Sequence, residues 1–169
     1  SNLKKINSKS TLKNFKFHPM IKVIAEYDQK IQDGNNEVHS FQVTEFYPKS
    51  IIGNAASSIQ FLLTNFTQQM KIYNHIKRNW KNMSIFHSTT SLGAGNIKYD
   101  GIISKDFLAT YAFKNEEKKI LIEAFEKLLD FVFSTGAIKI IPIMDDAPIL
   151  LKNNYKNIIK KKNFLKKIK

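Results

Sequence analysis

Between Phe17 and Pro48 the chain alternates apolar and polar residues twice. The first run is Phe17-His18-Pro19-Met20-Ile21-Lys22-Val23-Ile24-Ala25-Glu26-Tyr27-Asp28, the second is Val38-His39-Ser40-Phe41-Gln42-Val43-Thr44-Glu45-Phe46-Tyr47-Pro48, and Asp33-Gly34-Asn35-Asn36 lies between them. Side chains of an extended strand point to opposite faces in turn, so a period of two predicts strands rather than helices. The Asp-Gly-Asn-Asn stretch supplies residues that turns favour. Two antiparallel strands are therefore expected. In the first, Phe17, Pro19, Ile21, Val23, Ala25 and Tyr27 share one side, and His18, Lys22, Glu26 and Asp28 make the other side wet. In the second, Val38, Ser40, Gln42, Thr44 and Phe46 oppose His39, Phe41, Val43, Glu45 and Tyr47, so neither side is purely apolar. Such mixed faces suit a sheet that looks into a polar cavity on one side.

Beyond Ser57 the period lengthens. Ile59, Leu62, Leu63, Phe66, Met70 and Tyr73 recur at helical spacing and predict a helix over 57–79. Met83-Ser84-Ile85-Phe86-His87-Ser88-Thr89-Thr90 reads as a strand, Leu92-Gly93-Ala94-Gly95-Asn96 as a turn, and 97–103 and 108–113 as further strands. A second helix follows, capped by Asn115, with Glu116 and Glu117 in the first turn, where the helix dipole favours carboxylates. Its apolar stripe is Ile120, Leu121, Ala124, Phe125, Leu128, Leu129 and Val132, and Glu123 and Lys127 stand in the favourable i,i+4 order. Gly136 suits a left-handed helix end, and 138–143 reads as a short strand stopped by Pro142. The resulting class is α+β, an antiparallel sheet with flanking helices, the helices being expected on one side of it. The chain divides into a polar tail or connector at 1–14, the α+β segment at 15–150 and a lysine-rich helical tail at 151–169.

The 169 residues suffice for one domain with a core, and the net charge of +13 admits anionic partners. Nearly all of that charge is lysine, since Arg78 is the only arginine. Lysine lacks the planar fork that reads phosphate or guanine in fixed geometry, so compositional bias and a solvated surface are the preferred explanation. The tail, with Tyr155, Ile158, Ile159, Leu165 and Ile168 at near-helical spacing, is compatible with an amphipathic helix on an anionic membrane, but reads first as a helix docked on absent parts of the protein. Absence of cysteine excludes disulfides, thiolate metal sites and a cysteine nucleophile within the chain. No apolar run reaches the length of a membrane span and the first residues lack the apolar core of a signal peptide, so a soluble protein, or a soluble piece of one, is expected; the compartment is left open, with the cytoplasm favoured. Opening on Ser1 rather than Met reads as an artificially bounded sequence, a processed product or a piece of a longer reading frame.

Few residues advertise chemistry. Gly93-Ala94-Gly95 misses the dinucleotide fingerprint, because Lys98 stands where the third glycine belongs, and reads as a hairpin turn. The histidines, His18, His39, His75 and His87, have no metal-ligand spacing. His75 reads as a solvated helix residue among lysines, and His18 as a partner of nearby backbone. His39 and His87 lie on predicted strands from which they can face a cavity. Glu45 sits within an apolar strand, where an inward orientation would raise its pKa, although a paired surface glutamate is the preferred reading. Asp145 and Asp146 are adjacent and would diverge on an extended segment. No serine-nucleophile motif is present.

Four segments in order resemble the substrate domain of glucose-methanol-choline family flavin oxidoreductases, nearest to a bacterial choline-dehydrogenase-like subgroup. They are His18-Pro19-Met20-Ile21-Lys22, the strand from Val38 to Phe46, Asn79-Trp80-Lys81-Asn82-Met83-Ser84-Ile85, and the helix running into Ser134-Thr135-Gly136-Ala137. The resemblance covers roughly Phe17 to Pro142. It implies a parent enzyme in which a separate Rossmann-type domain holds FAD, the substrate domain lays an antiparallel sheet over the flavin ring, and a histidine near the C-terminus takes the alcohol proton as hydride passes to the flavin. Neither the glycine fingerprint nor that histidine segment has a counterpart here, so the resemblance assigns no catalytic residue to this chain. The expected function is the substrate-domain portion of an FAD-dependent alcohol or sugar oxidoreductase, inactive in isolation, that relies on a missing FAD-binding domain. His39, Gln42, Glu45 and His87 are the candidate substrate-cavity residues, with Gln42 on the opposite alternation class from His39 and Glu45. The alternative is a small lysine-rich domain that binds nucleic acid or anionic membrane.

Overall fold

The computed structural model describes residues 11–34, 41–66, 68–99, 107–111 and 113–160. In chain order these form β1 (Thr11–Phe17), β2 (Met20–Glu26), β3 (Gln42–Val43), β4 (Ser50–Ala55), α1 (Ile59–Thr64), α2 (Met70–Asn79), β5 (Met83–Thr90), β6 (Leu92–Tyr99), β7 (Phe107–Thr110), α3 (Asn115–Ser134), β8 (Lys139–Pro142), β9 (Leu150–Leu151) and α4 (Tyr155–Ile159). The fold is α+β. A six-stranded antiparallel sheet in the order β3-β4-β5-β2-β8-β9 carries helices, and a three-stranded sheet β1-β6-β7 adjoins it in sequence.

β2 and β5 form the centre, paired without a break from Met20↔Thr89 to Glu26↔Met83. Beyond Met20 the same two stretches of chain continue as β1 and β6, which pair from Phe17↔Leu92 to Thr11↔Lys98 with register shifts. Pro19 lies at the seam. It has no N–H to give to a ladder, and its carbonyl accepts from the Thr90 N–H at 3.0 Å. Gly93-Ala94-Gly95 therefore belongs to strand β6, with Gly95 opposite Phe15, and not to the hairpin turn expected. Thr11–Asn14, assigned above to the tail, belong to β1.

On one face of the large sheet, Val23, Ala25, Ile52, Phe86, Ile140 and Leu150 pack against Phe125, Leu128, Leu129, Val132 and Phe133 of α3. The burial of α3 follows the expected stripe and adds Phe133. At about 1.5–3 kcal/mol for each fully buried large apolar side chain, this face dominates the stability. The helix start differs from expectation in one respect: Lys114 occupies the N-cap, and its backbone N–H donates to the Glu117 carboxylate at 2.7 Å. Gly136, at φ 96, ends the helix in the left-handed region as predicted.

The opposite face is covered too, so the helices are not confined to one side. Ile24, Met83, Ile85 and Ile141 pack there on Leu62, Phe66 and Ile76. The single helix expected over 57–79 is two helices. Thr64 and Asn65 turn their side chains back onto the carbonyls of Gln60 and Phe61, and the N–H groups of Phe66 and Gln69 bond only three residues back, which tightens and stops the helix. Phe66 is buried in the resulting corner.

The long second strand is also shorter than its alternation implied. Residues 38–40 lie outside the described residues; among the rest only Gln42–Val43 is ladder, and residues 45–49 turn through Tyr47 N–H to Thr44 C=O (2.9 Å) and Lys49 N–H to Phe46 C=O (3.0 Å). Pro48 cannot donate to a neighbouring strand. α3 holds this turn through Lys127 over the Phe46 ring at 4.5 Å and Lys49 beside Glu123 at 3.9 Å, in place of the expected Glu123–Lys127 pair.

His75 is not merely solvated. Its Nε2 lies 2.7 Å from Oε2 of Glu26, whose other oxygen accepts from Lys139 Nζ at 3.0 Å, and Glu26 is only 6% exposed. This cluster ties α2, β2 and β8 together at one end of the sheet. Glu26→Gln is expected to lower unfolding free energy by about 1.5–3 kcal/mol, the usual worth of hydrogen bonds to a charged group, in urea titrations followed by the single tryptophan, Trp80. An unchanged midpoint would show the cluster to be ornamental.

The tail docks on this chain itself. Tyr155 and Ile159 of α4 are buried against the α3 side, with the Tyr155 and Phe133 rings 4.6 Å apart, while 161–169 lie outside the described residues. Burial first, and then the Asp130 carboxylate that accepts its O–H, push the Tyr155 hydroxyl from 10.0 up to about 12. The folded protein thus keeps a proton that the unfolded chain releases. The associated stability is complete below about pH 10 and fades as pH climbs toward about 12. Wild type is expected to lose stability more steeply over that interval than Tyr155→Phe, and parallel pH profiles would refute the assignment.

Candidate functional site

The α1–α2 pair covers only one end of its face. At the other end Met20 is 47% exposed, Phe61 of α1 is 54% exposed, and Lys22 and Gln42 reach solvent. An open cleft of about 650 Å³ occupies this half, a size within the usual range of small-molecule sites. Its floor is the sheet: Met20 and Lys22 of β2, Ile85, His87 and Thr89 of β5, and Gln42 of β3. Its wall is Phe61 and Thr64 of α1 with Asn65.

Pairing register places the polar floor residues. Gln42 lies opposite Gly53, Gly53 opposite His87, and His87 opposite Lys22. Directly paired residues share a face, so one row across four strands carries an amide, a gap, an imidazole and an ammonium. The gap matters. A Cβ on Gly53 would stand 3.0 Å from His87 Cε1 and 3.2 Å from Nε2, so the ring leans over the glycine and uses its missing side chain.

Gln42 owes its orientation to its neighbours. Phe41 packs in a ring cluster with Phe86 and Phe131, centroids 6.1–6.4 Å apart, on the α3 side. Val43 joins the same core. With both neighbours turned toward α3, Gln42 takes the opposite, open face.

Of the four cavity residues expected from the sequence, the structure brings Gln42 and His87 to one cleft. Glu45 is a correction to that set: it is exposed in the 45–49 turn, on no strand and away from the cleft. The turn set by Thr44, Phe46 and Pro48 ends the alternation that would have placed it. His39 lies outside the described residues. Lys22 and Gly53 were missed. The sequence marks Lys22 only as one of the residues that make a strand face wet, and a lone glycine in a strand gives no signal until its cross-strand partner is known.

Among the described residues no group of three or more His, Asp or Glu could hold a metal ion, and no helix is long and apolar enough to cross a membrane. A dinucleotide does not fit Gly93-Ala94-Gly95, because these residues lie within β6 rather than at a strand-to-helix turn where N–H groups converge on phosphates. No family model matches the chain, and no curated protein matches it.

Gly53→Ala is expected to push the imidazole aside by a few tenths of an ångström, since Cβ contacts at these distances are tighter than nearly all real ones. The His87 ring resonances should shift while unfolding free energy changes by about 1 kcal/mol, at the low end of small overpacking changes. Unmoved His87 resonances would contradict the contact.

Proposed function

We propose that this chain is the substrate-domain portion of an FAD-dependent oxidoreductase acting on the CH–OH group of an alcohol or sugar, inactive by itself. The observation that carries the reading is the half-open sheet face, a polar row on an antiparallel floor within an open cleft of about 650 Å³. A complete binding chamber would need a further wall over that opening. The resemblance noted above supplies one, since in that family a flavin domain lies against such a sheet. Its segments fall where they support the idea: His18–Lys22 leads into β2, and Asn79–Ile85 is the passage from α2 into β5.

The chain's share of the work is then binding and orientation. Gln42, His87 and Lys22 offer hydrogen-bond donors to a polar group, while Met20, Phe61 and Ile85 contact an apolar body. The redox chemistry belongs to the flavin held elsewhere, and no step of it is assigned to these residues.

The complete reading frame, purified whole, is expected to carry yellow flavin absorbance and to reduce a dye when given an alcohol, while this chain mixed with FAD stays colourless after desalting. A colourless whole protein would overturn the reading. A nucleic-acid or membrane domain is the rival, resting on the +13 charge. Against it, α4 spends Tyr155 and Ile159 on contacts with α3 and so has no free apolar edge over 155–159. Salt-sensitive capture of DNA or anionic vesicles, abolished by deleting 160–169, would favour the rival.

A further inference from the structure

The cleft has a polarity of its own. Lys22 is its only charged lining residue among those described, no carboxylate lines it, and Lys22 forms no ion pair among the described residues. Thr64 and Asn65 direct their donor groups to the carbonyls of Gln60 and Phe61. The row Gln42, His87, Lys22 lines up three donor-bearing side chains across the floor, with Asn54 and Thr89 also on the lining. Strands lie about 4.8 Å apart, so the row spans roughly 14 Å from β3 to β2. Within it, His87 and Lys22 are direct cross-strand neighbours, and side chains paired in this way stand with Cβ atoms about 5 Å apart. Next to the row the lining turns apolar, with Met20 and Ile85 on the floor and Phe61 on the wall.

We infer that the cleft binds a small carboxylate-bearing amphiphile, its carboxylate seated on Lys22 and His87 with Gln42 beyond the Gly53 gap, and its aliphatic body along Met20, Ile85 and Phe61. The role of this ligand rests on the reading proposed above: the alcohol to be oxidised would be a hydroxy acid. The binding itself needs only residues of this chain. A quaternary-ammonium alcohol, which a choline-dehydrogenase resemblance would suggest, meets a like charge at Lys22 and no carboxylate to offset it, so the charge pattern selects against it.

Three probes of one chain length separate the possibilities: octanoate, octanol and octyltrimethylammonium, titrated into the chain by calorimetry. Octanoate is expected to bind at least about tenfold more tightly than octanol, with octyltrimethylammonium weakest, and to weaken as salt is raised. Lys22→Gln, an exposed position that folding tolerates, should erase the octanoate preference and leave octanol binding in place. Gly53→Ala, by displacing the imidazole, should weaken octanoate more than octanol. Equal binding of octanoate and octanol, tighter binding of the cation, no binding of any probe, or a Lys22→Gln variant that keeps the preference would each overturn the inference. Flavin content of the whole protein is read separately, so a colourless protein whose cleft still selects octanoate would sink the oxidoreductase reading and spare the site.

Discussion

The unbroken pairing of β2 with β5 is the constraint on which the rest of the molecule depends. Seven consecutive residues from Met20 to Glu26 meet their partners without a bulge. A slip by one residue would exchange the faces of the strand. It would carry Val23 and Ala25 away from α3 and drive Lys22 into a core that offers it no partner. The apolar content of each face thus locks the register, and the locked register brings Lys22 beside His87. Site and core are set by the same ladder, so a change in one strand's polarity would be felt in both.

The open half of the sheet follows from how the 57–79 segment is spent. A continuous helix over that stretch would be about 34 Å long at about 1.5 Å per residue. β2 spans only about 23 Å at about 3.3 Å per residue. Such a rod would overrun the sheet, lying across both the closed and the open end. Breaking at Thr64 and Asn65 folds the same residues into a short pair, which places Leu62, Phe66 and Ile76 over Ile24 and Met83 and leaves the Met20 end uncovered. Two hydrogen bonds from helix-ending side chains to i−4 carbonyls accordingly decide whether this face is a core or a cleft.

What the sequence disclosed divides along the range of the interactions involved. β5 was legible from end to end because its β-branched and aromatic run is bounded by Asn82 and Ser91, and the burial of α3 matched a stripe that a period of 3.6 makes visible. Alternation correctly put Ile21, Val23 and Ala25 on one side of their strand, and that side packs on α3. The same alternation misled at Glu45, because a period of two continues arithmetically through Phe46 and Tyr47 while the backbone turns to place the half-buried Phe46 beneath Lys127. Gly93 and Gly95 looked like a turn because their partner strand was unknown, and only pairing with β1 makes them strand. The Glu26–His75–Lys139 cluster joins residues as far apart as 113 positions, a separation that no local pattern encodes. Half of the candidate site shared this problem: Gln42 and His87 were visible as polar residues on strands, whereas Gly53 acquires meaning only from the ring opposite it.

Net charge is a poor guide to which lysine matters. Lys152, Lys156 and Lys160 are exposed around α4, where water and salt screen them and where the apolar residues that would press a helix onto a membrane are used internally. Lys22 is exposed as well, but it rises from the floor of a concavity that Phe61 and Ile85 also line, with no described carboxylate on that lining to neutralise it. Low-dielectric walls concentrate the field of such a charge, so a single ammonium there discriminates among small ligands more sharply than many on a convex surface. The sheet register gives that ammonium its companion imidazole, and the glycine gives the imidazole its place, which makes the cleft selective through three backbone-determined positions rather than through the overall excess of positive charge.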